Sequence, residues 1–287
     1  MYNPRFEYYR AGSVAEAISL LGQHNGAKLL AGGHSLLPIL KLRLADPGVL
    51  IDIGRIDGLK GISAANGSVR IGALTTHAMI AASEEVPVGL AEAAGTVADL
   101  QVRNVGTIGG NVAHADPASD LPTVLTALGA TFHITGPHGD RSVAATDFFT
   151  GLFETALAEN EILTAVEVPA RGAGTGSAYA KMPNRASGYA IVGAAAVVTV
   201  ADGKCTAASV AVGGLTPKAT KTPSVEAALV GKPLDEATIT AAAEAVQNDL
   251  DDGDLVADIH ASADYRKAIS RVYVKHALME AVARANG

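Results

Sequence analysis

Two glycine-rich segments contain the residues of this sequence whose types suggest chemistry. We call Ala31-Gly32-Gly33-His34-Ser35 the first glycine segment and Thr107-Ile108-Gly109-Gly110-Asn111 the second glycine segment. Glycines next to hydroxyls allow bare backbone N–H groups to approach an anion and solvate it. Two such segments in one chain suit a ligand with a pyrophosphate and an extended polar arm, which is the shape of a dinucleotide. Neither has the spacing of a G-x-G-x-x-G fingerprint or of a P-loop, so the usual NAD and ATP sites are disfavoured.

The same glycines also have a structural interpretation. A single Gly-Gly pair marks a tight turn more often than it marks a ligand site. From the residues alone, a nucleotide site and a pair of ordinary turns therefore both stay open.

The other titratable residues do not form a second convincing site. His114 beside Asp116 has the composition of an acid–base pair, but we expect it to belong to the wall of the second glycine segment. His77, His133 and His138 lack the spacing of metal ligands, and surface or turn positions are expected for them. The acidic residues between 249 and 254 lack the pattern of a calcium loop and predict a solvated loop. No metal site is expected in this chain.

Composition excludes several classes of function. Among 287 residues the formal net charge is −7, which argues against nucleic acid or an anionic membrane as partner. Cys205 is the only cysteine, so the chain has no intrachain disulfide and no thiolate set for zinc or an iron–sulfur cluster. No apolar run has the length of a membrane span and the N-terminal residues lack an apolar leader, so a cytoplasmic location is expected.

The elements that must position the two segments alternate between strands and helices, with hairpins among them, which predicts an α+β fold. Asn66-Gly67 and Asp202-Gly203 are typical hairpin turns. Residues 170–176 have the composition of a linker, and a strand meander is expected after it. Three helix starts are predicted at Ser13, Asp120 and Ser262. The last helix is expected to bury the face that carries Ile269, Val272, His276, Met279 and Val282.

Several strings resemble one known family. The stretch from Ala31 to Pro38 resembles the first flavin loop of the medium subunit of bacterial carbon monoxide dehydrogenase and related molybdenum hydroxylases, and the second glycine segment resembles their second loop. The strings at residues 50–53, 101–104, 114–117, 119–122 and 262–266 are also similar, in the same order along the chain. The resemblance implies a two-lobed FAD-binding domain like that of vanillyl-alcohol oxidase over residues 1–170, with lobes of about 1–55 and 56–170. A smaller sheet-and-helix domain over residues 177–287 would follow it.

The resemblance also implies roles for individual residues. The first loop would hold the pyrophosphate and ribityl arm of a non-covalent FAD, and the second would hold the same arm from the other side. Asp120 would bond a polar group of the cofactor, Lys181 would lie near the pyrimidine end of the flavin, and Tyr189 would lie against its ring system. In related subunits Gly-Asp precedes this tyrosine, where Ser187-Gly188 stands here. The implied cofactor-binding residues are Leu29, Leu30, Ala31, Gly32, Gly33, His34, Ser35, Leu36, Thr107, Gly109, Gly110, Asn111, Ala115, Asp120, Leu163, Lys181 and Tyr189.

The function implied is that of an electron-transfer subunit with no catalytic side chain of its own. A large partner subunit would carry the molybdenum cofactor, and a small one would carry two [2Fe-2S] clusters, in a dimer of heterotrimers. Electrons would reach an external acceptor through the FAD. Two alternatives stay open: a stand-alone flavin oxidase of the same fold class, and a cofactor-free assembly protein. Covalent attachment of flavin through His34 is a further alternative.

Overall fold

The computed structural model describes residues 2–287. Its N-terminal region is a small parallel sheet in the order β1-β3-β2. Ser13 begins α1 by accepting a hydrogen bond from the N–H of Glu16, as predicted. The first glycine segment connects the end of β2 to the start of α2. The elements are β1 (Glu7–Arg10), α1 (Val14–Gln23), β2 (Lys28–Leu30), α2 (Leu36–Lys41) and β3 (Val49–Asp52).

The middle region is a five-stranded antiparallel sheet in the order β4-β5-β10-β6-β7, together with six short helices. Asn66 and Gly67 form the β4–β5 turn with φ of 52° and 79°, which confirms the predicted hairpin. The second glycine segment begins α6. The elements are β4 (Ile62–Ala65), β5 (Ser68–Gly72), α3 (His77–Ala81), α4 (Val88–Thr96), α5 (Leu100–Val105), α6 (Ile108–His114), α7 (Asp120–Ala127), β6 (Thr131–Gly136), β7 (Gly139–Ala144), α8 (Ala145–Phe148), β8 (Phe149–Gly151), β9 (Glu154–Thr155) and β10 (Ile162–Pro169).

The C-terminal region is an antiparallel sheet in the order β11-β12-β13-β14, with helices on its far side. The side chains of its strands point alternately into two cores, since successive side chains of a strand lie on opposite faces of the sheet. Tyr179 and Ala195 pack into the core of the middle region, while Ala178 and Ala194 pack with α9, α10 and α11. The elements are β11 (Thr175–Pro183), β12 (Ala190–Ala201), β13 (Lys204–Gly213), β14 (Thr220–Lys221), α9 (Pro223–Leu229), α10 (Glu236–Glu244) and α11 (Ala263–Ala285).

Mixed helices and sheets confirm the predicted α+β class. The predicted face of the last helix is wrong in part, because Val272 and Met279 are 37% and 42% exposed. The buried face of α11 instead includes Arg266, Ser270 and Ala277. The predicted linker also ends early, since β11 begins at Thr175. No helix within residues 2–287 is both long and apolar enough to cross a membrane.

Candidate functional site

The fold places the first glycine segment against the second one and against Val105 and Gly106, the two residues that precede it. A Cβ atom added to Gly32 would overlap the carbonyl oxygen of Val105 and lie 2.9 Å from the Cα atom of Gly106. A Cβ added to Gly110 would lie 4.0 Å from the Cβ of Ala31. Gly32 is therefore required by this close approach, and together the segments form one site.

The first glycine segment presents a row of unoccupied donors. Within residues 2–287, the backbone N–H groups of residues 32–36 have no hydrogen-bond acceptor. Gly33 has φ of +70°, and the Nδ1 atom of the exposed His34 donates to the Gly32 carbonyl at 2.7 Å. Ser35 precedes α2 but makes no capping hydrogen bond with its side chain. Successive free N–H groups of this kind favour an anionic oxygen ligand, so they fit the pyrophosphate of FAD.

In the second glycine segment, in contrast, the N–H groups of residues 108–111 are bonded within the protein. Ile108 donates to the Thr75 carbonyl at 3.0 Å and Gly109 donates to the Ala73 carbonyl at 2.8 Å. The Thr107 hydroxyl caps α6 by accepting from the N–H of Gly110 at 3.2 Å. A Cβ on Gly109 would lie 2.6 Å from the Cβ of Ala73, so this glycine permits close packing.

The C-terminal part of α6, with its cap, contains two further predicted residues, Asn111 and Ala115. The side-chain oxygen of Asn111 accepts a hydrogen bond from the Ser119 hydroxyl at 2.8 Å. Ala115 ends the helix in the left-handed conformation with φ of 50°, and it is 5% exposed. The His114 ring packs on Phe153 with 5.2 Å between centroids. Burial lowers the pKa of His114, while the Asp116 charge acts in the opposite direction.

His77 was expected at the surface, and this prediction is wrong. His77 is only 3% exposed, and its Nδ1 atom is buried without a hydrogen-bond partner in the described chain. Its backbone N–H donates to the Gly106 carbonyl at 3.1 Å. Burial, together with smaller contributions from the neighbouring charges of His34 and Arg103, lowers the pKa of His77 to about 4. The imidazole is thus neutral behind the point where the two segments meet. The residues around His77 in the sequence contain no signal that would have predicted its burial.

Asp120 was predicted to cap α7, and this is wrong as well. Ser119 occupies the cap position, and Asp120 turns inward as the first helical residue. Its carboxylate accepts from the Tyr179 hydroxyl at 2.7 Å and from the Lys181 ammonium at 3.0 Å. Burial raises the pKa of Asp120 to about 6, although Lys181 and Tyr179 both act to lower it. The predicted contacts of Asp120 and Lys181 with the cofactor stay predictions.

Tyr189 comes to the first glycine segment from the C-terminal region. Burial and the Asp116 charge raise the pKa of its phenol, while the Ser35 side chain acts in the opposite direction to a smaller extent. Tyr189 is 42% exposed, and it lines a small cavity of about 200 Å³ with Asp116, Asn184 and others. Its position beside the first segment is compatible with the predicted contact to a flavin ring, which stays a prediction.

The remaining predicted residues are hydrophobic. Leu29 and Leu30 belong to β2, and Leu30 accepts a backbone hydrogen bond from Ile53 at 3.0 Å. Leu36 is the first residue of α2. Leu163 is 5% exposed in β10 and belongs to the core of the middle region. The predicted contacts of these residues with FAD also stay predictions.

Comparison with known proteins identifies the class. Residues 4–171 match the family described as the FAD binding domain in molybdopterin dehydrogenase, and residues 177–281 match the CO dehydrogenase flavoprotein C-terminal domain. The chain therefore belongs to the family of FAD-binding medium subunits of molybdenum hydroxylases, which are oxidoreductases. This confirms the resemblance found in the sequence.

Individual relatives match over their whole length. The carbon monoxide dehydrogenase medium chain of Hydrogenophaga pseudoflava is 42% identical over 288 residues, with 99% of each chain covered. The nicotine 6-hydroxylase medium subunit of Paenarthrobacter nicotinovorans is 36% identical, with 98% of this chain and 99% of the relative covered. A solved structure of carbon monoxide dehydrogenase from Hydrogenophaga pseudoflava superimposes with a TM-score of 0.94 at 44% identity, covering 99% of both chains.

Proposed function

We propose that this chain is the FAD-binding electron-transfer subunit of a heterotrimeric molybdenum hydroxylase. The observation that supports this most directly is the row of free N–H groups at residues 32–36, placed against the second glycine segment. Such a row fits a pyrophosphate because each N–H offers a donor to an anionic oxygen without a side chain in between.

The residues of the two segments would have different tasks in holding FAD. The first glycine segment would bind the pyrophosphate through its backbone, and Gly33 with φ of +70° aims successive N–H groups to one side. The second would supply a rigid wall, since α6 is capped by Thr107 and fastened to Ala73 and Thr75. Bound FAD supplies the capacity to take up electrons from one-electron donors and to pass them on.

The partner subunits are proposed from the family to which the chain belongs. By this resemblance, a small subunit would carry two [2Fe-2S] clusters and a large one the molybdenum cofactor, in a dimer of heterotrimers. The single cysteine, Cys205, is compatible with clusters on another chain, because it cannot supply a cluster's ligand set. Electrons would pass from the clusters through the FAD to an external acceptor. Relatives as different as carbon monoxide dehydrogenase and nicotine 6-hydroxylase use similar medium subunits, so the substrate would be determined by the large subunit.

A binding experiment on the purified chain tests the cofactor. We expect FAD to bind, and acid precipitation to release it into solution. ADP-ribose, which has the pyrophosphate without the flavin, should compete with FAD, whereas riboflavin should not, because the free N–H groups require an anion. Competition by riboflavin alone would contradict a pyrophosphate cradle, and absence of FAD binding would contradict the proposed function. Turnover of an alcohol or amine by the isolated chain would instead favour a stand-alone oxidase.

Co-purification tests the assembly. A tagged form of the chain, purified from its native source, should recover a large and a small subunit in equal amounts. The purified complex should contain molybdenum and iron. Recovery of the chain alone, saturated with FAD, would contradict the heterotrimer while leaving the FAD site intact.

A further inference from the structure

Lys181 has no hydrogen-bond donor left for a ligand. Its ammonium donates to the Thr96 carbonyl at 2.9 Å, to the Asp120 carboxylate at 3.0 Å and to the Gly188 carbonyl at 2.6 Å. The lysine ammonium has three N–H donors and no acceptor. Its side chain is only 7% exposed. All three donors are therefore occupied by protein oxygens, and the positive charge is paired with a buried carboxylate.

Asp120 provides the fixed end of this arrangement. Its side chain is 5% exposed, and its second interaction is with the Tyr179 hydroxyl at 2.7 Å. Tyr179 and Lys181 lie two residues apart on β11, so they point to the same face of the sheet. A buried carboxylate with two donors cannot move without leaving a charge unpaired. The Lys181 ammonium is thus held in place from the side of α7.

Gly188 provides the other end, in the turn at residues 184–189 between β11 and β12. Asn184 closes this turn: its N–H donates to the Tyr189 carbonyl at 2.7 Å, and its carbonyl accepts from Gly188 at 2.8 Å. Gly188 has φ of +77°, and an added Cβ would lie 3.1 Å from the Cα of Ala98. The turn is therefore packed tightly against the C-terminal end of α4, where Thr96, the last helical residue, also accepts from Lys181.

The residue that this turn carries into the site is Tyr189. Tyr189 lines a cavity with Asp116 and Asn184, and the Ser35 side chain of the first glycine segment acts on the pKa of its phenol. We propose that Lys181 is a positioning residue: it fastens the turn at residues 184–189 to Asp120 and α4, and so places Tyr189 against the FAD site. This rests on the proposed function for the cofactor, but the contacts that define it lie within the protein. It differs from a direct role in which the ammonium itself stabilises charge on the flavin.

Two variants separate these roles. Lys181→Met removes both the positive charge and the three hydrogen bonds that hold the turn at residues 184–189. Gly188→Ala keeps the charge but displaces the turn, since alanine is strained at positive φ and would press on Ala98. If Lys181 acts by positioning, both variants should weaken FAD binding by about tenfold. Both should also increase the fluorescence of bound FAD, because an aromatic ring stacked on a flavin quenches it. Lys218→Met is the matched control, since Lys218 is exposed and its side chain makes no hydrogen bond within residues 2–287.

An NMR measurement on the FAD-free chain tests the positioning role of Lys181 separately from the proposed FAD-binding function. The chain has seven tyrosines, so ring-labelled tyrosine gives few NMR signals, and Tyr189→Phe assigns the one from Tyr189. In the FAD-free chain, Lys181→Met and Gly188→Ala should both shift the Tyr189 signal. If neither shifts it, the positioning role is overturned even where FAD binds. If the chain binds no FAD, the proposed function fails while this signal still decides the positioning.

The direct role has a different signature. It predicts that Lys181→Met changes the reduction potential of bound FAD, while Gly188→Ala leaves the potential, the affinity and the Tyr189 signal as in the wild type. That outcome would overturn the proposal. Should Lys181→Met fail to fold, Gly188→Ala and the Tyr189 signal remain sufficient to decide.

Discussion

The first glycine segment leaves the N–H groups of residues 32–36 without acceptors in the described chain, whereas the second donates those of residues 108–111 to protein oxygens. Both contain adjacent glycines and a hydroxyl residue. Gly32 lies at the contact between the segments, but Gly109 lies against Ala73 inside the middle region. The difference shows that a glycine pair can either leave backbone N–H groups accessible to a ligand or allow two elements to pack closely. Variants at Gly32, Gly109 and Thr107 test that division of tasks, and one at His77 tests the buried residue behind the contact.

The largest effect is expected for Gly32→Ala. The new methyl group would overlap the Val105 carbonyl, and backbone atoms cannot move aside without separating the two segments. We expect the affinity for FAD to fall by about a thousandfold or more, measured by fluorescence titration. Gly22→Ala in α1 is the control, because no atom lies within 4 Å of its added Cβ. Wild-type affinity in Gly32→Ala would show that the contact between the segments is not needed for binding.

The second effect concerns pH and the buried His77. Its pKa is about 4 in the folded chain and 6.5 in the unfolded one, so the unfolded state binds more protons between these values. Folding stability should therefore fall as pH decreases from 6.5 towards 4, by about 3 kcal/mol in total. Burial causes most of this shift, and the charges of His34 and Arg103 contribute the smaller part of it.

Asp120 acts in the opposite direction, because its folded pKa is raised from 3.8 to about 6 and its contribution decreases as pH rises. Asp120 is present in both the wild type and His77→Gln, so its contribution to the pH dependence cancels when the two proteins are compared. Urea unfolding between pH 7 and pH 4 should show the variant losing less stability by about 3 kcal/mol. If the free energies of unfolding of the two proteins changed equally with pH, a buried neutral His77 would be contradicted.

The third effect is expected for Gly109→Ala, which tests the packing role of the second segment. Its methyl group would lie 2.6 Å from the Cβ and 2.8 Å from the carbonyl oxygen of Ala73. We expect the free energy of unfolding to decrease by about 2 kcal/mol, as in other overpacked sites. The affinity of the folded protein for FAD should change much less than in Gly32→Ala. Loss of FAD binding at unchanged stability would reverse the division of tasks.

The smallest effect is expected for Thr107→Ala, which removes the hydroxyl that caps α6. Loss of an N-cap typically costs about 1 kcal/mol of stability. Thr107→Ser keeps the hydroxyl and should restore most of this loss in thermal unfolding. If Thr107→Ser and Thr107→Ala lose FAD affinity equally while both stay stable, the threonine contacts the cofactor instead of serving mainly as a cap.

Local features of the structure were predicted well from the sequence. The turns at Asn66-Gly67 and Asp202-Gly203 have positive φ at both residues, and Ser13 and Ser262 cap their helices as expected. Each depends on residues that are adjacent or three positions apart, so the sequence contains all of the partners.

The predictions that failed depend on distant neighbours. The apolar pattern of the last helix suggested a face with Val272 and Met279, but the sheet approaches α11 so closely that small residues are needed there: a Cβ on Gly176 would overlap the Ala281 carbonyl. Asp120 turned inward because Tyr179 and Lys181, about sixty residues later, offer it two donors. Neither partner is adjacent in the sequence.

The sequence by itself determined the family and the local turns and caps, and it predicted the two segments of the candidate site. Only the tertiary structure decided which N–H groups are free, because their acceptors lie on other elements: Ala73 and Thr75 reach the second segment, and no carbonyl reaches residues 32–36 within the described chain. A hydrogen bond requires its partner within about 3 Å. That distance is a property of the folded chain, so two similar glycine pairs acquire different functions from what the fold places beside them.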